Sequence, residues 1–346
     1  MTREMIAISG TGSVSPAGWG VRALMEALDA KKRLPVASLD RPDGTRPVAV
    51  RKVPAPVERR KDMRHPRMRR SSPVARFALA AGLEALGRDR AEAVREGSLR
   101  LGLIYCLMNG CVNYSNRFYG EVLENPVTAS PILFPETVFN APASHLSALL
   151  QSEGISYTLV GDSAQFLPAL ELATQWLQTD EADAVLVVGA EEVDWLSAEA
   201  FRLFSSEGVV SEGAGALLLD KSPVAVVGVE EIIDPVLYSA DRSRAEAARL
   251  ARESLEPPPG QAILVDGCQG ARRLDRIENG VWSDWDGPRL SPGRVLGDAL
   301  GASLALQSVA AVETLQREAI EREALVFRVG GNQQVSAARF KRFVPA

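Results

Sequence analysis

Few residues in this chain have the type and spacing for covalent or acid–base chemistry. Ser163 stands in "YTLVGDSAQFLPALELATQWL" (Tyr157–Leu177), which reads as an apolar strand, an abrupt turn at Gly161-Asp162-Ser163 and a mostly apolar helix. Such a turn can present a nucleophile, but a serine hydroxyl, unlike a thiol, needs a partner base. Only two histidines exist, His65 and His145, and His65 lies in an Arg-rich stretch. The three cysteines, Cys106, Cys111 and Cys268, cannot form a disulfide framework, and the Cys106/Cys111 spacing has no metal-site pattern. Buried apolar thiols in a reducing cytoplasm are expected, with no metal and no cofactor. The plain alternative for "GDS" is helix capping, where Ser or Asp contributes about 1 kcal/mol. Pro168 bears on this, because a proline beyond the first turn removes a backbone donor.

The elements that would position these residues alternate along the chain. Its 346 residues are 46% hydrophobic and 24% charged, with net charge −5, so nothing global points to nucleic acid or a membrane. No apolar run approaches the ~20 residues of a membrane span, and "MTREMIAISG" enters a strand without signal-peptide anatomy. "MIAISGTGSVSP" is a strand and a Gly/Ser-rich turn that lacks a full phosphate-loop pattern. Residues 34–70 are Pro- and Arg-rich and expected to be largely loop. From Arg51 to Arg70 nine Lys/Arg oppose Glu58 and Asp62, making either a solvated arm or a dock for an acidic partner. "SSPVARFALAAGLEALGRD" predicts a helix from Ser71-Ser72-Pro73 to a stop at Gly87. "ADAVLVVGAEE" and "GQAILVDG" read as strands buried on both faces, and Gly297–Ile320 as one long Ala-rich helix. "ALVFRVGGNQQVSAARF" reads as two strands around a Gly-Gly turn. Strand–helix alternation in both parts predicts an α/β fold of two similar halves, 1–222 and 223–346.

Several stretches together resemble the β-ketoacyl synthases of the thiolase superfamily. They are "ISGTGSVSPAGWG", "RMRRSSPVARFALAAGLEAL", "NAPASHLSALLQSEG", "SEGAGALLLD" and "FRVGGNQQ". The resemblance implies a five-layer α-β-α-β-α arrangement from two duplicated halves, and a dimer. It also implies a nucleophilic cysteine at the start of the central helix, two histidines and a lysine. In that chemistry a helix N-terminus favours the thiolate, and the histidines stabilise charge developing on a malonyl thioester.

Counted against that pattern, every catalytic position is changed. Ser163 falls at the cysteine, Cys268 and Asp298 at the histidines, and Gly293 (or Arg294, one residue on) at the lysine. An alternative register places Gln165 at the cysteine, as in decarboxylating or length-determining relatives. The gating phenylalanine falls at Val329, ahead of Gly330 and Gly331, and Phe166 is a further pocket residue. Asp298 and Glu171 are candidates for an acid pair, with helix-end and hydrogen-bonding roles as the plainer reading. Roughly two dozen residues of the family pattern are missing before "EGVVSEGAG", which implies a trimmed pocket rim. Residues 108–140 are expected to form a cap on the dimer side, and Arg59, Arg60, Lys61, Arg64 and Arg67 a dock for acyl carrier protein.

The function implied is that of a catalytically silent subunit similar to chain-length factors. It would pair with an active ketosynthase, or with itself, in polyketide or fatty-acid-type elongation. The alternative is an acyltransferase, thioesterase or malonyl decarboxylase acting on carrier-bound acyl groups.

Overall fold

The computed structural model describes residues 6–42, 44–56, 63, 65–222, 225–255, 262–318 and 322–343. Ile6–Ser15, Gly213–Asp220, Ala184–Glu191, Leu101–Leu107 and Ser156–Val160 lie side by side in that order. Val227–Ile232, Gln334–Arg342, Arg322–Val329, Ala262–Val265 and Arg289–Leu290 form the matching run. In each run the first two neighbour pairings are antiparallel and the last two parallel. The runs meet where Ile6 and Ala7 pair with Val229 and Gly228. The duplication predicted from alternating elements is therefore a repeat of strand order, with little sequence likeness between the halves.

Three apolar clusters stack these strands into layers. The helices Phe166–Gln178 and Ser303–Arg317 pack with strand residues of both runs, including Val185, Val187, Val265 and Val326. Pro73–Arg95 and Ala141–Leu150 cover the outer face of the first run. Arg244–Ser254 contributes Ala247, Ala248 and Ala251 to the cover on the second. The result is the α-β-α-β-α arrangement. Ala184–Glu191 is buried at every position, which explains its unbroken apolar sequence.

Local signals set the helix positions. Ser72 caps Pro73–Arg95 by accepting from Ala75 N, and Pro73 takes the first position, where its missing N–H costs nothing. Gly87 does not end this helix as predicted; its φ of 74° breaks the helical run, which then resumes to Arg95. The 34–70 stretch is also more ordered than its composition predicts. Ala37–Leu39 and Val48–Arg51 pair together and with Val210–Ser211, because Val48 and Val50 pack under Val193 and Ala198. The Gly297–Ile320 helix starts late, at Ser303, because Asp298 accepts Leu300 N and Ser303 Oγ, both at 2.8 Å, and shapes a tighter turn first. Among the described residues, no helix is long and apolar enough to cross a membrane.

The glycines of "ISGTGSVSP" serve packing. A Cβ on Gly10 would stand 1.9 Å from the Ala85 carbonyl oxygen, and one on Gly12 1.9 Å from that of Ala81. The helix thus lies directly against strand backbone, and neither contact can yield cheaply. Gly12→Val should lower stability by at least about 2 kcal/mol through overpacking. Chemical denaturation checks this, and an unchanged midpoint would refute the packing role.

Candidate functional site

The turn at Gly161-Asp162-Ser163 works as a staple. Asp162, buried to 3% exposure, accepts Ala164 N on Oδ1 at 2.9 Å. The same carboxylate accepts Gly331 N (3.1 Å), Asn332 N (2.6 Å) and Gln333 N (2.8 Å) from the distant glycine loop. That loop can approach only because residue 330 has no side chain, since a Cβ there would lie 1.8 Å from Asp162 Oδ1. The loop's carbonyls are held as well, Gly330 O by Tyr238 and Gly331 O by Arg244. The capping expectation for "GDS" is corrected here. The helix begins at Phe166 with Gln165 as its uncapped N-cap, three residues after Ser163. Pro168 therefore lies in the first turn, where no intrahelical bond is lost.

Ser163 is 4% exposed and fully engaged. Its Oγ accepts from Gly331 N at 3.2 Å and Arg328 Nε at 3.4 Å, and donates to Asp162 Oδ1 at 3.3 Å. Arg328 then reaches Asp298, its Nη2 lying 3.0 and 3.1 Å from the two carboxylate oxygens, with both residues buried. Gln269 Nε2 also donates to Asp298, and Gln307 accepts from Arg328 Nη1 at 3.3 Å. Ser163 and Asp298, which counting places at the family's cysteine and a histidine, thus meet through an arginine that sequence reasoning missed. Its signal was a charged residue inside the apolar "LVFRVGG", at the glycine that opens the family's Gly-Phe-Gly-Gly-Thr-Asn pattern. Asp298 has its partners here and in the 300–303 turn, and Glu171 is not among them.

A cavity of about 150 Å³ opens beside these groups. Ser163, Gln269, Asp298 and Arg328 line its polar side, and Phe201, Phe204 and Leu274 its apolar side. Val329, Gly330 and Gly331 line it as well, but Val329 N is taken by Glu278 Oε1 at 2.8 Å. Glu278 also accepts Gly267 N at 2.7 Å, and burial, reinforced by Asp266, pushes its carboxyl up to about 8. The rim helix Trp195–Phe204 leaves Leu196, Leu203 and Phe204 exposed, in keeping with a trimmed edge.

The remaining candidates lie off this cavity. Cys268 is not among its lining residues; the Sγ points to Asn279 and Arg289, and burial pushes the thiol up, away from thiolate. Asp266, Cys268 and Glu278 bring ligand-type atoms within 4.8 Å of one another. Arg289, however, bonds Asp266 and lies 3.4 Å from the Cys268 sulfur, supplying the cation from within the chain. A side chain at Gly293 would meet the Cys268 carbonyl oxygen at 2.8 Å, so this backbone has no room for a lysine there, and Arg294 is exposed. Phe166 is 1% exposed and belongs to the core between the sheets rather than the cavity. Gln165 folds back over Gly161. His145 pairs with Glu136 at 2.7 Å, away from Ser163. Arg67 is exposed on the Pro66–Arg69 turn, whereas Arg59, Arg60, Lys61 and Arg64 lie outside the described residues.

The buried pair makes a prediction about stability. Removing one partner leaves an uncompensated buried charge, so Arg328→Met or Asp298→Leu alone should cost about 3–5 kcal/mol. The double variant should recover most of that loss. A double-mutant cycle by urea denaturation measures it, and additive single losses would contradict the pairing.

No curated protein matches the chain. Among solved structures it is similar to the ishigamide ketosynthase/chain length factor, with 19% identity and TM-score 0.79, over 98% of this chain and 100% of that one. A β-ketoacyl synthase from Burkholderia phymatum is similar at 19% identity and TM-score 0.77, over 99% and 100%. A chain from the ketosynthase ApeO in complex with its chain length factor ApeC from Xenorhabdus doucetiae is similar at 16% identity and TM-score 0.76, over 98% of each chain. At the sequence level, residues 3–225 match the family described as Beta-ketoacyl synthase, N-terminal domain. Because that match spans well over half of the chain, the chain belongs to the β-ketoacyl synthase family.

Proposed function

We propose that this chain is a ketosynthase-like subunit without condensing chemistry of its own, which pairs with an active β-ketoacyl synthase during acyl-chain elongation. The observation that carries this reading is how the groups facing Ser163 are committed. Its hydroxyl is bonded on both sides, Gly331 N and Val329 N are taken, Arg328 is neutralised by Asp298, and Arg244 is turned to the Gly331 carbonyl. Oxyanion stabilisation needs donors aimed at empty space where charge will develop. Here those donors already hold carboxylates and a hydroxyl. For a serine acyltransferase or thioesterase, the carboxylate that Ser163 meets, Asp162, is already taken by four backbone N–H groups, and Gln165 does not line the cavity as a decarboxylase would need.

The pairing face is the edge of the first run of strands. Ser156–Val160 has a strand neighbour on one side only and exposes Tyr157 and Val160. Nine of the fourteen exposed large apolar residues among those described fall on this strand, on helix Val112–Glu124 or in 125–140, including Leu123, Val127 and Phe134. An open edge beside exposed apolar side chains calls for a partner, since a bare edge is otherwise a liability. Acyl carrier protein is the further partner we assign, approaching by the basic arm. The three cysteines, all buried and unpaired, support a cytoplasmic setting.

Co-expression with an active β-ketoacyl synthase from the same gene neighbourhood should give a stable heterodimer. Ser163→Ala in this chain should leave the pair's turnover within about twofold, as expected for a residue outside the chemistry. Separate elution of the two chains, or turnover lost with the hydroxyl, would overturn the proposal.

A further inference from the structure

Three arginines are buried among the described residues, and one of them meets no anion. Arg328 pairs with Asp298, and Arg339 with Glu231. Arg51, 7% exposed, stands at the end of Val48–Arg51 opposite Ser211 and does not line the Ser163 cavity. Its Nε donates to Leu34 O at 2.9 Å. Nη1 and Nη2 make no hydrogen bond or ion pair with any described residue, yet neither is sealed from solvent. The neighbouring charge that acts on this guanidinium is another cation, Arg33; burial first, and then that charge, lower its pKa from the usual arginine value. A buried cation without a partner is costly, so a ligand that neutralises it gains on binding.

The backbone around Arg51 is cut back to make room. A Cβ on Gly297 would stand 3.0 Å from Arg51 Nη1, and one on Gly270 2.3 Å from Arg33 Nη2. Leu34 N bonds Val295 O at 3.0 Å, and Arg33 Nη2 donates to Gly270 O at 3.3 Å, so segments 33–34, 51, 270 and 295–297 meet here.

We propose that this niche binds a small free carboxylate. With Nε committed to Leu34, the open edge of the guanidinium is its Nη1/Nη2 end. The two parallel N–H groups there match the two oxygens of one carboxylate. A carboxylate is flat, so it enters a narrow opening that tetrahedral phosphate does not. Arg33, exposed beside it, adds a second positive charge. Arg51 belongs to the small three-stranded sheet, not to the Pro66–Arg69 turn or the Ser156–Val160 edge. The assignment stands whether or not the chain pairs with a ketosynthase.

The test is saturation-transfer NMR of the full chain titrated with acetate, at an ionic strength held constant with chloride. Transfer to the acetate methyl group should saturate, and formate should displace acetate where phosphate at the same concentration does not. Arg51→Lys keeps the charge but loses the fork, and should weaken acetate about tenfold, the margin of one charge-assisted hydrogen bond. Arg33→Gln, on the surface, should weaken it about threefold. Absence of saturable transfer, displacement by phosphate as by formate, or unchanged acetate affinity in either variant would overturn the proposal. If Arg51→Lys fails to fold, Arg33→Gln and the formate–phosphate comparison decide.

Discussion

The carboxylate of Asp162 holds the centre of this protein together. It joins the turn ahead of the central helix in the first half to the glycine loop between two strands of the second, accepting four backbone N–H groups from Ala164 and residues 331–333. Because the carboxylate is buried, moving the loop would strip it of three of its donors, at a cost of several kcal/mol. The cavity's shape, the position of Ser163 and the reach of Arg328 all follow from where this loop is pinned. Gly330 is the sequence's concession to that closeness.

The polar side of the cavity is balanced internally in charge. Around Ser163 stand a hydroxyl, a buried arginine–carboxylate pair and backbone amides that bind one another. A buried ion pair is weak evidence for stability, since its desolvation offsets its attraction. Its better-supported effect is to fix one arrangement, because Arg328 must meet Ser163, Gln307 and Asp298 at once. The cavity remains open beside these groups while the amides Gly331 N and Val329 N are engaged.

The layered fold was legible because its signals are local and redundant: buried apolar strands, the Ser72-Pro73 start, and the turn at Gly330-Gly331. The correspondence of 163, 268, 293 and 298 to the family's catalytic positions rests on counting. Side-chain direction could not. Cys268 and Gln269 are neighbours, yet only Gln269 reaches the cavity, and the backbone turn that decides between them leaves no mark in sequence. Asp162 read as a cap because its true partners are some 170 positions away. Arg328 was visible as a charge in an apolar strand, but its meaning depended on Asp298 arriving from another helix start. The pairing of the 34–70 stretch was hidden by its prolines and arginines, while two buried valines carried the order.

Intact-mass measurement after incubation with acyl- and malonyl-loaded carrier protein tests the central claim, that the site around Ser163 is internally committed, most directly. The account predicts an unmodified chain and no released acid above the carrier-only rate. An acyl adduct mapped to Ser163 would contradict it.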